Sequence, residues 1–312
     1  MTVKVFIDGA AGTTGLEIRE RLADRSDVEL LHIAEDRRKD ADARAEMLNT
    51  ADAVVLCLPD DAAREAVALI ANDTTRVIDA STAHRTAPGW TYGFAEVEPG
   101  RRAELATSTR VSNPGCYPTG FLALVRPLVR EGLLAADAPL SVNATSGYSG
   151  GGKSMIAAFE HAHVPDATDT AFRIYGLGLG HKHVPEMQGH AGLAHPPIFL
   201  PAVARTYRGM LVEVPLHPLW LKGGLADVRD ALVEAYRGSP VVHVETAGDQ
   251  ALLTLEQAAG TDRLELYVFG NAATGQLRLV AALDNLGKGA AGAAVQNTNL
   301  ALGLEETAGL RL

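Results

Sequence analysis

The segment Val111-Ser112-Asn113-Pro114-Gly115-Cys116-Tyr117-Pro118-Thr119-Gly120 sets one thiol among prolines and glycines, just ahead of an apolar run at residues 121–129. Proline suits the first turn of a helix, where its missing N–H would be unpaired anyway, so Pro118 puts Cys116 just before a helix start. A thiol there feels the positive end of the helix dipole, which favours thiolate and prepares the residue for covalent catalysis. Pro127 is expected to kink or end that helix a turn or two in. Cys57, between Leu56 and Leu58, reads as a small buried hydrophobe, the commoner fate of a cysteine. The tight loop around Cys116 offers no such packing reason.

Acyl chemistry on sulfur needs a proton donor and then an acceptor, and histidine serves both near neutral pH. In His181-Lys182-His183-Val184-Pro185-Glu186-Met187, Pro185 marks a helix start and holds His183 at its entrance. His183 is therefore the expected acid/base, with His181 in reserve for the same role. No nearby Cys or acid completes a zinc set around the pair, so no metal is expected. Cations and backbone amides must hold any phosphate. The candidates are Arg85 and Lys153, with Ser81 and the amides of Gly150, Gly151 and Gly152, and Arg208 beside Gly209.

A second constellation is Ile7-Asp8-Gly9-Ala10-Ala11-Gly12-Thr13-Thr14-Gly15. Dinucleotide sites use glycines so spaced for a tight turn, for close approach of backbone to pyrophosphate, and for packing helix on strand. Gly9, Gly12, Thr13, Thr14 and Gly15 are thus cofactor-binding candidates. Downstream, Glu35 and Asp36 are followed by Arg37, Arg38 and Lys39. Three cations outnumber two acids, so Arg37 and Arg38 are expected to hold a 2′-phosphate, and the cofactor to be NADP(H). Cys116 with His183 would also serve a hydrolase or transferase. The glycine turn argues instead for redox chemistry, and a reactive Cys116 argues against a non-catalytic dinucleotide sensor.

The elements that must carry these residues alternate at first. Residues 3–7, 28–33, 53–58 and 76–79 read as apolar strands, and residues 16–23, 41–48 and 61–71 as helices. Apolar, non-alternating strands between helices indicate a parallel sheet covered on both faces. After residue 139 the pattern changes. Residues 140–144, 198–204, 209–215, 241–244, 264–270 and 276–284 read as strands, several of them alternating, and indicate a mixed sheet. Residues 289–303 read as a long helix. The expected fold class is α/β: a Rossmann-like dinucleotide-binding domain of residues 1–115 and 285–312, closed by the C-terminal helix, plus an α+β catalytic domain of residues 116–284.

At 312 residues, 47% of them hydrophobic and 21% charged, the chain has the profile of an ordinary packed protein with room for two domains. A net charge of −10 without a long basic run makes nucleic acid an unsuitable partner. The 2 cysteines are too few for a disulfide framework, and a reducing cytoplasm is expected. Neither a signal peptide nor a transmembrane stretch is evident.

The segment from Pro114 to Gly120 resembles the active-site signature of the N-acetyl-gamma-glutamyl-phosphate reductases, within the wider semialdehyde dehydrogenase group. Several further segments match in order. Asp79-Ala80-Ser81-Thr82-Ala83-His84-Arg85 is similar to an Asp-x-Ser-x-x-x-Arg element, and Ser146-Gly147-Tyr148-Ser149-Gly150-Gly151-Gly152-Lys153 to a glycine-rich loop. Residues 181–187 match a His-x-His-x-Pro-Glu element. Asp284-Asn285-Leu286-Gly287-Lys288-Gly289-Ala290-Ala291-Gly292, followed by Gln296-Asn297-x-Asn299, resembles a closing cofactor-side motif. The longer family form has Pro-His-Leu-x-Pro-Met-x-Arg-Gly where this chain reads Leu200-Pro201-Ala202-Val203-Ala204-Arg205-Thr206-Tyr207-Arg208-Gly209. The histidine is absent, which places the chain with the shorter form.

The resemblance implies NADPH-dependent reduction of N-acetyl-L-glutamyl 5-phosphate to the 5-semialdehyde through a Cys116 thioester, in arginine biosynthesis. It adds Ser81, Gly150, Gly151, Asn285 and Gly287 to the cofactor side, and Arg85, Lys153, His181 and Arg208 to the substrate side. A homo-oligomer is expected, without membrane partners. The sequence leaves open the same chemistry on an aspartyl or aminoadipyl phosphate.

Overall fold

A computed structural model of the chain describes residues 2–34, 37, 40–247 and 250–312. Their contacts divide into two compact units. The first holds Met1–Ala95, Pro99–Pro114 and Ala290–Leu310, and the second holds Glu96–Glu98, Gly115–Gly289 and Arg311–Leu312.

The first unit begins with strands and helices in alternation: β1 (Val3–Asp8), α1 (Thr13–Leu22), β2 (Val28–Leu31), α2 (Ala41–Thr50), β3 (Ala53–Leu56), α3 (Asp60–Ala68) and β4 (Arg76–Asp79). Then follow β5 (Thr91–Tyr92), α4 (Arg101–Thr107) and β6 (Arg110–Ser112). The strands pair in the order β2-β1-β3-β4-β6-β5, all parallel. Successive side chains point to opposite faces and both faces are covered. Val5, Ile7, Val55 and Ile78 pack with Ile18 and Leu22 of α1, whereas Phe6, Val54, Leu56 and Val77 meet Leu48 of α2 with Ala63 and Ala66 of α3. That double burial explains why these strands read as unbroken apolar runs. The chain leaves β1 for β2 on one side and returns to β3 on the other, so the strand order reverses beside β1. Open α/β sheets bind ligands at such switch points.

The second unit contains α5 (Cys116–Arg130), β7 (Ser141–Gly147), α6 (Gly152–Glu160), β8 (Phe172–Ile174), α7 (Val184–Ala191), β9 (Ile198–Ala204) and β10 (Met210–Leu216). It ends with α8 (Leu225–Ala235), β11 (Val242–Val244), β12 (Leu264–Gly270) and β13 (Leu277–Leu283). The seven strands lie in the order β11-β12-β13-β10-β7-β9-β8. The β7–β9 and β11–β12 pairs are parallel and the rest antiparallel, which makes the expected mixed sheet. Helices α5 and α8 pack on this sheet. At its β8–β9 edge Phe172, Ile174, Ile198 and Leu200 are exposed.

Two expectations for α5 need correction. Cys116 is the first residue of the helix and not the one before it, because Gly115 takes the extended capping conformation. Of the two outcomes expected at Pro127, a kink or an end, the second does not occur, and the helix runs on to Arg130. Proline has no N–H for the Ala123 carbonyl one turn back. The buried Tyr236 hydroxyl donates to that carbonyl instead, at 2.8 Å.

The tail helix also differs from expectation. Residues Gly287–Ala291 form a π-helical turn, and α9 (Gly292–Leu302) follows. Its buried polar residues tie it into the first unit. Asn297 donates to the Gly93 carbonyl at 2.7 Å and to Asn113 Oδ1 at 2.9 Å, while Asn299 Oδ1 accepts from Arg25 at 2.6 Å. The Gln-Asn-x-Asn motif is therefore packing chemistry in this unit.

Candidate active site

Cys116 opens the 15-residue helix α5, and no side chain caps that end. The first amides of a helix have no carbonyl partner within it, so the positive end of α5 is presented at the sulfur. Pro118, at the third helical position, removes an N–H that would have been unpaired there. The thiol is half-buried, accessible enough to react and sheltered enough to be oriented. Gly115 is held on both sides. Its carbonyl accepts from the Thr119 amide and hydroxyl, each at 2.9 Å, and its N–H donates to Glu186 Oε1 at 2.8 Å.

Glu186 lies in the first turn of α7, the helix that packs on α5, and His183 is the capping residue of α7. Both are buried. Aromatic rings fill the surroundings. Tyr117 has its ring 5.8 Å from that of His183, and the His181 and His183 rings are 4.8 Å apart. Tyr175 donates its hydroxyl to the Tyr117 hydroxyl at 2.9 Å. Burial pushes the Tyr175 phenol up to about 12; its bond with Tyr117 opposes that push and a negative charge on Cys116 adds to it. Both phenols are thus protonated donors at neutral pH. Burial, and then the charge of Lys182, hold His181 below the usual histidine range, so its imidazole is neutral there. Its Nδ1 accepts the His183 N–H at 3.2 Å.

The turn from Asp284 to Gly289 closes the other side. A Cβ built on Gly289 would stand 2.9 Å from the Cys116 Cβ, and the Gly289 N–H donates to the Asp284 carbonyl at 3.0 Å. Asp284 is fully buried and accepts from the amides of Gly260, Leu286 and Gly287. Arg208 pairs with it at 3.4 Å, so the structure places this substrate candidate against a carboxylate of the chain itself. Asn285 joins the glycine-rich loop, donating to Ser149 Oγ at 2.8 Å and accepting from Gly209 N–H at 3.0 Å. Gly150 and Gly151 are exposed beside Ser149, and Lys153 is exposed in the first turn of α6. In the second unit, then, the His181 and His183 rings adjoin Tyr117, the residue after Cys116, and Gly150, Arg208, Asn285 and Gly287 adjoin one another around the Asp284 turn.

The remaining candidates belong to the first unit. Gly9 has φ +89°, and a Cβ there would collide with the Cys57 carbonyl at the end of β3. A Cβ on Gly15 would stand 2.5 Å from the Gly9 carbonyl oxygen, whereas one on Gly12 would stand 3.3 Å away. Gly9 thus makes the turn, Gly15 packs the helix, and half-exposed Gly12 leaves the backbone open to approach. No side chain caps α1, and the half-exposed Thr13 and Thr14 follow Gly12 at the strand-order reversal. This cradle fits a pyrophosphate. Arg37 is exposed and pairs with Asp40 at 3.1 Å. Arg38, Lys39, Glu35 and Asp36 lie outside the described residues.

Ser81 and Arg85 sit just past β4. Ser81 Oγ donates to Asp79 Oδ2 at 2.8 Å, and Arg85 donates to the carbonyls of Asn113 at 2.9 Å and Ala80 at 3.0 Å. These two bonds orient the guanidinium. His84 Nδ1 lies 2.6 Å from Asp79 Oδ2, and its ring stacks on Trp90.

Sequence reasoning missed Glu186, Tyr175 and Gly289. Glu186 follows His183 by three residues, so a helix started by Pro185 put both on one face, a usable signal. Tyr175 is 58 residues from its partner Tyr117, and nothing local announced it.

Comparison with known proteins identifies the family. Residues 4–105 match the family model of the semialdehyde dehydrogenase NAD binding domain, and residues 116–285 that of the semialdehyde dehydrogenase dimerisation domain. N-acetyl-gamma-glutamyl-phosphate reductase 2 of Nostoc sp. is 52% identical over 319 residues, covering 98% of this chain and 99% of its own. The N-acetyl-gamma-glutamyl-phosphate reductase of Brucella ovis is 53% identical over 309 residues, covering 97% and 100%. Among solved structures, aspartate semialdehyde dehydrogenase II from Vibrio cholerae superposes with a TM-score of 0.72 at 18% identity, over 96% of this chain and 98% of its own. Aspartate semialdehyde dehydrogenase with NADP from Candida albicans gives 0.66 at 14% identity, over 96% and 98%. At these identities the structural likeness is one of fold.

Proposed function

This chain belongs to the N-acetyl-gamma-glutamyl-phosphate reductase family of the semialdehyde dehydrogenases, and we propose that it reduces N-acetyl-L-glutamyl 5-phosphate to N-acetyl-L-glutamate 5-semialdehyde, with release of phosphate, through a thioester on Cys116. It is an NADP-dependent oxidoreductase of arginine biosynthesis. The observation that carries the thioester is the place of Cys116 at the open end of α5, beside a helix capped by His183.

The Cys116 thiolate attacks the acyl carbon and forms the C–S bond, and the C–O bond to phosphate breaks with its electron pair leaving on phosphate. Covalent capture divides one difficult displacement into two easier ones. Gly9, Gly12 and Gly15 would hold NADPH, which would supply the hydride for reduction of the thioester. His183 gives a proton to the oxygen as the thiohemiacetal forms. It takes that proton back as the C–S bond breaks, which releases aldehyde and restores the thiolate. His181, neutral at the working pH, holds the His183 backbone and lines the substrate side. Arg85 and Lys153 supply positive charge for phosphate, and Arg37 and Arg38 for the 2′-phosphate that distinguishes NADP.

A homo-oligomer is the working assembly. The match to a dimerisation domain over residues 116–285 and the exposed apolar residues Phe172, Ile174, Ile198 and Leu200 at one sheet edge support it. Among the described residues no helix is long and apolar enough to cross a membrane. The catalytic thiolate is suited to a reducing cytoplasm.

The reverse reaction tests the substrate. Phosphate-dependent reduction of NADP⁺ should proceed with N-acetylglutamate semialdehyde and fail with aspartate and aminoadipate semialdehydes. Preference for either of the latter would reassign the acyl phosphate while leaving the chemistry in place.

A further inference from the structure

We propose that Glu186 is a positioning residue for the Cys116–His183 pair: its buried carboxylate pins the residue before the nucleophile to the helix that presents the acid/base. The proposal rests on Cys116 being the nucleophile.

Glu186 is 1% exposed, and a carboxylate so placed must be hydrogen-bonded to be tolerated. Its Oε1 accepts the Gly115 N–H at 2.8 Å, across 71 residues of sequence. A glutamate serving only the dipole of α7 would do so equally well from the surface. Here it is turned inward to one particular amide. That amide belongs to the cap of α5, whose own carbonyl is taken by Thr119, so the backbone entering Cys116 is fixed from both directions. His183 caps α7 three residues before Glu186, and one helical turn therefore sets both reacting groups. Residues three apart on a helix lie on one face. Covalent catalysis is sensitive to such placement, because a displacement of about 1 Å costs about 100-fold in rate.

Variants of the full-length enzyme separate this role from a merely structural one. Glu186→Gln keeps an oxygen for the Gly115 N–H, whereas Glu186→Met fills similar space without an acceptor. Three quantities are read: kcat and KM for the acyl phosphate, NADPH affinity by fluorescence, and the rate of iodoacetamide alkylation at Cys116 by peptide mass. The Met variant should lose about 10- to 100-fold in kcat with KM within about twofold, and the Gln variant should recover to within about threefold of the parent. NADPH affinity should be unchanged in both, which establishes that the chain is folded. Alkylation at Cys116 should change in the Met variant and return in the Gln variant. A Gln variant as impaired as the Met variant would overturn the proposal, and so would a Met variant with parental kcat. Cys116→Ser is run alongside. Turnover without the sulfur would sink the nucleophile and this proposal together, whereas an inactive serine variant beside a fully active Met variant would sink the Glu186 proposal alone.

Discussion

Gly289 and Cys116 meet so closely that a Cβ at position 289 would lie 2.9 Å from the Cys116 Cβ and 3.4 Å from its Cα. The π-helical turn at Gly287–Ala291 brings the backbone there, and the bond from Gly289 N–H to the Asp284 carbonyl holds it. The glycine in Lys288-Gly289-Ala290 thus serves as the wall against which Cys116 is set.

Gly289→Ala should therefore act on catalysis more than on folding. The added methyl overpacks the site, at a cost of about 1–3 kcal/mol in stability, and displaces Cys116. A fall of about 10- to 100-fold in kcat is expected. Steady-state kinetics alongside a denaturant melt would check both numbers. Parental kcat in a folded Gly289→Ala enzyme would show that the contact does not position the sulfur.

The rescue of Pro127 by Tyr236 makes a prediction about stability alone. Tyr236→Phe leaves the Ala123 carbonyl buried without its donor, which should cost about 1–3 kcal/mol. Pro127→Ala restores a backbone N–H aimed at that same carbonyl. The cost of Tyr236→Phe should then shrink by most of its value in the Pro127→Ala background. Equal costs in the two backgrounds, measured by denaturant midpoints, would mean that the hydroxyl and the proline are not linked.

That pair also shows where sequence reasoning runs out. The strands β1, β3 and β4 were legible because burial on both faces demands unbroken apolar runs, and β9 and β12 because their residue types and flanking turns delimit them. The glycine turn was legible because spacing fixes its geometry. What was missed depends on distant partners. The end of α5 was misjudged because Tyr236, which tolerates Pro127, is more than 100 residues away. Strands β5 and β6 are two and three residues long and partly polar, and pairing alone makes them strands. Among the candidate residues, Cys116 and the two histidines were singled out from local helix-start chemistry. Tyr175 carries no local mark, and Gly289, although inside a recognised motif, matters through the residue it touches.

The two histidines should separate in kinetics. His183→Asn is expected to lower kcat by about two to four decades, the usual worth of a general acid/base. His181→Asn should cost far less, because a neutral ring that accepts the His183 N–H supports the loop without moving the proton. A larger loss for the His181 variant would exchange their roles.

A pH effect on stability follows from His181. Burial and the neighbouring Lys182 make the folded chain bind the His181 proton less readily than the unfolded chain, whose value is about 6.5. Protonation therefore favours unfolding. The contribution is complete above pH about 6.5 and is lost as pH falls towards the lower folded value. His181→Gln should flatten this limb of the stability profile, read as urea midpoints between pH about 7.5 and 5. Parallel profiles for the two proteins would show that His181 does not carry the linkage.

The most direct test of the covalent route is rapid mixing of the enzyme with N-acetyl-L-glutamyl 5-phosphate in the absence of NADPH, followed by peptide mass analysis. The account predicts phosphate release stoichiometric with enzyme and a mass gain of one N-acetylglutamyl acyl group on the peptide containing Cys116. That adduct should be absent from Cys116→Ser. An unmodified Cys116 peptide after phosphate release, or the acyl group on another residue, would contradict it.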